Sequence, residues 1–236
     1  MLKHDHWTDL KTFIEEWYRP LKPQDGLQAR EIELAETRLG IRLPEALREL
    51  YLIAGAYLPC GHRWDRLADL HIAERPEPVL FIYRDEGSLD EYIVPLRLIG
   101  ETDPPVVKSY CEEEQKSVGS VSEWAFYQII KNTFHRKAVY NNSAYSMYCP
   151  PRVSLRGVRL LYSLGEYDDE FRAGDGVLIR TKDRQRWIQL LAKTVEKGEA
   201  FVCANRDHLI WKHKPDCIER EINDGGSANA LSTKPV

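Results

Sequence analysis

At 236 residues, with 43% hydrophobic and 30% charged residues, the chain can bury a sizeable core beneath an ordinary solvated surface. Its 33 basic and 37 acidic residues leave a net charge of −4 with no basic stripe, which argues against a nucleic-acid binder. No apolar run approaches the about 18–20 residues of a membrane span. Met1–Trp7 also lacks the positive start and apolar stretch of a secretion signal, so the chain reads as cytoplasmic and without a membrane partner.

Taken in chain order, the first element is a helix over Trp7–Tyr18. Trp7, Leu10, Ile14 and Trp17 fall on one stripe that faces a core, and Pro20 and Pro23 end it. Leu27, Ile32, Ala35 and Leu39 then repeat at near-helical spacing up to Gly40, a residue suited to the left-handed position that closes a helix. Ile41-Arg42-Leu43 is an extended connector, since the residue before a proline avoids the helical region. Pro44 suits the first position of a second helix, and Glu45 places negative charge in its first turn. Leu47, Leu50, Tyr51 and Ala54 form that helix's buried stripe, and Gly55 ends it.

Beyond Gly55 the pattern becomes extended. Leu70–Ile72, Val79–Tyr83, Tyr92–Leu96 and Val106–Tyr110 read as strands, with Asp85–Ser88 a turn and Pro95 marking an edge or strand end. Ser120 or Ser122 caps a helix running to about Lys131, with Trp124 and Tyr127 on its apolar face. Helices, then strands, then a closing helix indicate an α+β fold rather than alternating βαβ units. Residues 138–155 read as a connection rich in Tyr, Asn, Ser and Pro. Val158–Leu164, Gly176–Thr181 and Arg186–Ala192 look extended, although Trp187–Lys197 is also compatible with a helix. The organisation expected is an N-terminal helix (1–26), a core (27–137), the connection (138–155), a strand extension packed on the core (156–218) and a disordered tail (219–236).

The stretch Ile32–Tyr51, a helix, Gly40, Leu43-Pro44 and a second helix, resembles the SUKH superfamily. This group includes the fungal Smi/Knr cell-wall-synthesis regulators and many bacterial proteins that neutralise toxins of polymorphic toxin systems. The order of Val79–Tyr83, an acidic turn, Tyr92–Val94, Asp103–Val107 and the helix near Ser122–Ile130 carries the resemblance through roughly residues 27–135. The chain departs from the group in its long Trp- and Arg-bearing loop, Ala56–Asp69, and in Ala54-Gly55, where members often carry Asn-Gly. The resemblance implies an antiparallel-rich sheet packed with helices and a C-terminal strand extension. It implies no catalytic residues and a binder of another protein, a cognate toxin in the immunity members. A regulatory adaptor is the alternative. The chain is expected to be a monomer.

Side-chain chemistry points the same way. Cys60-Gly61-His62 and His71 are the nearest approach to a metal set, but they lack metal-site spacing, which leaves a metal-dependent enzyme as a remote alternative. Nucleophile and phosphate-loop motifs are missing, so no enzyme, metal or cofactor is expected. The five cysteines, Cys60, Cys111, Cys149, Cys203 and Cys217, are odd in number and form no CxxC pair, a pattern of reduced thiols. Acidic clusters are the candidate interface: Asp85, Glu86, Asp90, Glu91, Glu112, Glu113, Glu114, Asp168, Asp169 and Glu170, together with Trp64 on the long loop. A toxin acting on nucleic acid has a basic cleft, which acidic loops would steer towards and block.

Overall fold

The computed structural model describes residues 6–57, 67–85, 90–110, 113–134, 140–146, 159–164, 169–182, 187–205 and 209–211. These residues build an α+β fold in two units, Met1–Arg136 and Lys137–Val236. Among them, no helix is long and apolar enough to cross a membrane.

Unit 1 begins with α1 (His6–Trp17), which buries Leu10, Phe13 and Ile14. The helix α2 (Ala29–Leu39) stops where Gly40 takes φ 68, and the amides of Gly40 and Ile41 return to the carbonyls of Thr37 and Glu36. Its successor α3 (Glu45–Ala54) buries Ala46, Leu47, Leu50, Tyr51 and Ala54, the stripe its periodicity predicts. It starts one residue later than the proline suggests, because Pro44 keeps an extended ψ of 145 and serves as the N-cap.

Between α1 and α2 the chain is tied to the end of α3. Asp25, in a 3-10 turn over Pro23–Asp25, accepts two hydrogen bonds from the Arg19 guanidinium at 2.7 and 2.8 Å and one from the Lys22 amide. The Asp25 carbonyl accepts from the amides of Ala56 and Tyr57, and the Arg19 guanidinium lies 3.7 Å over the Tyr57 ring. The Arg19 bonds hold the Asp25 carboxyl at about 2, below its ordinary 3.8. A lowered carboxyl stabilises the fold fully above the unfolded value, and that contribution is lost as pH falls through the folded one. Asp25→Asn should therefore lower the melting temperature near neutral pH. The gap from the parent should shrink as pH falls from about 4 to about 2, as thermal melts across that range would show.

The sheet of unit 1 is an antiparallel meander in chain order: β1 (His71–Ala73), β2 (Val79–Asp85), β3 (Asp90–Pro95), β4 (Pro105–Tyr110) and β5 (Glu113–Ser120). The strand β5 escapes sequence reading because Val118 is its one large aliphatic residue, so no two-residue period shows. The helix α4 (Val121–Thr133) follows directly. Ser120 and Glu123 form a reciprocal capping box, and the Asp103 carboxylate accepts from the Ser122 amide and hydroxyl. Trp124, 1% exposed, packs its ring against Tyr83 and Tyr92 at 6.2 and 5.9 Å. On α4, Phe126 meets Phe13 of α1 edge-on at 6.0 Å. The Tyr18 hydroxyl lies 2.7 Å from the Thr133 hydroxyl and donates to the Ile129 carbonyl. The N-terminal helix is thus an integral part of unit 1.

Unit 2 holds β6 (Tyr140–Ser146), β7 (Arg159–Leu164), β8 (Asp169–Gly174), β9 (Val177–Lys182), β10 (Trp187–Ala192), α5 (Val195–Ala204) and β11 (Leu209–Trp211). The six strands form one antiparallel sheet in the order β11-β6-β10-β9-β8-β7. One sequence expectation changes in this sheet, and one open choice closes. Much of the supposed connection is β6, which pairs on one side with β10 and on the other with β11. The run Tyr140–Ser146 is polar enough to resemble a loop, and its strand character comes from these two neighbours. The choice between strand and helix after Arg186 is also resolved. Strand β10 ends at Ala192, and the Thr194 hydroxyl caps α5 by accepting from the Lys197 amide. Asp175, at φ 38, and Gly176, at φ 72, make the two-residue turn between β8 and β9. Contrary to the expectation of reduced thiols, Cys203 is disulfide-bonded. The supposed tail, 219–236, lies outside the described residues.

Candidate functional site

The meander gathers some of the acidic residues and separates others. Its register sets Asp85 opposite Asp90, Asp90 opposite Tyr110, and Tyr110 opposite Glu113, so three acids from three strands share one row at one end of the sheet.

Glu91 is the main correction to the sequence-based site. It is 8% exposed, and its carboxylate bridges two arginines, accepting from Arg84 at 2.7 Å and also from Arg75, whose other nitrogen lies near the Ser109 hydroxyl. Alternate residues of a strand face opposite sides, so the adjacent acids Asp90 and Glu91 cannot both serve one surface. Glu114 follows Glu113 along β5 under the same constraint. In unit 2, Asp169 and Glu170 start β8, and Glu170 is half-buried in an ion pair with Arg172 at 2.7 Å. Trp64, Glu86, Glu112 and Asp168 lie outside the described residues, as do Cys60 and His62. His71 stacks its ring on Phe81 at 4.7 Å. Among the described residues, no group of three or more His, Cys, Asp or Glu side chains is placed to hold a metal ion.

The connector between α2 and α3 itself forms a groove. Residues 41–45 and Arg48 face the segment Ile99–Thr102 across a groove of about 490 Å³. Pro44 offers no side-chain acceptor to the first turn of α3, and the Thr102 carbonyl takes that role, accepting from the Ala46 amide at 2.9 Å. Beside the groove, Glu36 ties the corner together. One of its oxygens accepts from the Leu43 amide at 2.8 Å and the other from Arg48 at 2.5 Å. That bond holds the Arg48 guanidinium above its ordinary pKa, so its charge is fixed and locally balanced.

No protein-family model, curated protein or solved structure matches this chain.

A second cavity, of about 380 Å³, lies in unit 2 between the β8–β9 turn and α5, with Val177, Ala200 and Phe201 among its lining. Lys197 and Asp175 pair at its edge at 2.7 Å, and the lysine lowers the Asp175 pKa. Neither cavity was visible to sequence reading, since each joins segments distant along the chain. The proline at the α3 N-cap was the one local sign, because a helix start without a side-chain cap must find its acceptor elsewhere.

Proposed function

We propose that this chain is a non-enzymatic protein-binding module of the SUKH type, an immunity protein that neutralises a cognate toxin by one-to-one binding as a monomer. The observation that carries this reading is the element order of unit 1. A helix, Gly40, Leu43-Pro44 and a helix lead into an antiparallel meander closed by α4. The acidic row of Asp85, Asp90 and Glu113 supports a basic partner surface, because complementary charge accelerates encounter. The cytoplasm is the working compartment in this reading, and the disulfide at Cys203 weighs against that placement.

The test is a search beside its own gene for one that encodes a toxin, and co-expression with that product, scored for rescue of growth. The parent chain should restore growth. An Asp85→Lys, Asp90→Lys, Glu113→Lys variant that still folds should restore it poorly and bind the toxin more slowly, most visibly at low salt. Failure of the folded parent chain to rescue, or to bind, would reject the immunity reading.

A further inference from the structure

We infer that a water molecule buried inside unit 1 bridges the side-chain amides of Gln128 and Asn132 on α4. This site belongs to the body of the fold and stands independently of any partner. Gln128 is 1% exposed and Asn132 is 6% exposed. Yet both polar atoms of the Gln128 carboxamide, and the Asn132 side-chain nitrogen, meet no hydrogen-bonding group among the described residues. The two residues are one turn apart, so their side chains are neighbours on one stripe of the helix. That stripe begins at Trp124, whose ring packs on Tyr83 and Tyr92 of the sheet.

Other buried polar side chains of the same helix are satisfied by the protein itself. The Ser122 hydroxyl donates to the Asp103 carboxylate at 2.6 Å, and the Thr133 hydroxyl to the Ile129 carbonyl at 2.9 Å. Gln128 and Asn132 are spaced to bond directly to each other and do not. Burying three amide atoms unpaired costs far more than immobilising one water, whose bonds are nearly as good as direct ones. A water can accept from both nitrogens and donate to the Gln128 oxygen, within the roughly two to four partners that an internal water needs. Neutral carboxamides offer an ion no balancing charge. A site so closed to solvent admits nothing larger than water unless α4 moves.

The experiment uses the isotope-labelled full chain and reads nuclear and rotating-frame Overhauser cross-peaks between water and side-chain amide protons. A held water gives the two kinds of peak opposite signs, whereas proton exchange with bulk water gives them the same sign. Opposite-sign peaks are expected at both Gln128 and Asn132. Asn205 is the control, a buried carboxamide whose nitrogen already donates to the Phe201 carbonyl at 2.9 Å, and it should give none. Gln128→Met keeps the length of the side chain and removes its polar atoms, so the Asn132 peak should be lost along with the bridge. A missing opposite-sign peak at Gln128 or Asn132 in the parent would overturn the inference. So would an equal peak at Asn205, or an Asn132 peak that survives Gln128→Met undiminished. If Gln128→Met does not fold, the parent spectrum with its Asn205 control decides.

Discussion

Gly26→Ala is expected to destabilise unit 1 by about 3 kcal/mol, the upper range for forcing an extra methyl into a closed space. A Cβ at residue 26 would lie 1.8 Å from the Leu52 carbonyl oxygen and 2.7 Å from its carbon. These are backbone atoms of a packed helix and cannot swing aside as a side-chain end could. The approach is fixed from the next residue, where the Leu27 amide donates to the Tyr51 carbonyl at 2.9 Å, and from the Asp25 carbonyl, which holds Ala56 and Tyr57. Urea unfolding of the parent and the variant measures the loss. Gly100→Ala is the control, because a methyl group there meets nothing within 4 Å and should leave the midpoint almost unchanged. A Gly26→Ala protein as stable as the parent would mean that the 26–27 crossing over α3 is not as close as described.

Glu91→Ala is the other large expected effect, about 3 kcal/mol, because removing one partner of a buried ion pair strands the remaining charge. Arg75 is the partner that decides the size, since its side chain is 14% exposed, whereas that of Arg84 is 56% exposed and can turn to water. The same substitution separates two roles for this residue. As an interface acid, Glu91 would lower affinity for the proposed partner at unchanged stability when replaced. As an internal bridge, it lowers the unfolding midpoint and affects binding only through the loss of folded protein. Replacing Arg75 and Glu91 together by Leu should recover much of the loss, because a buried ion pair exchanged for apolar residues is often close to neutral.

The parts of the fold that were readable from sequence are those set by neighbours in the chain. Gly40, Pro44 and the apolar spacing of Leu47, Leu50 and Ala54 define α2 and α3 without reference to anything distant. Ser120 with Glu123 does the same for α4. The strands β5, β6 and β8 were hidden because their residues carry no two-residue apolar period, and their extension depends on strands that pair with them. The acidic site was half readable. Counting carboxylates found Asp85, Asp90 and Glu113, but only the register shows that they share a row. The register also shows why Glu91, adjacent in sequence, belongs to the interior instead.

The contact between α1 and α4 also governs how the chain can reach this structure. Tyr18 bonds to residues 111 and 115 positions further along, so α1 waits for almost the last segment of its unit. On the ribosome, α1 must stay an unpacked amphipathic helix, with Leu10, Phe13 and Ile14 open to water, until α4 emerges. Unit 1 then closes as a late, non-local event. A nascent chain stalled before residue 121 should therefore be a good substrate for chaperones, and a fragment that begins at residue 27 would leave Phe126 without its cover.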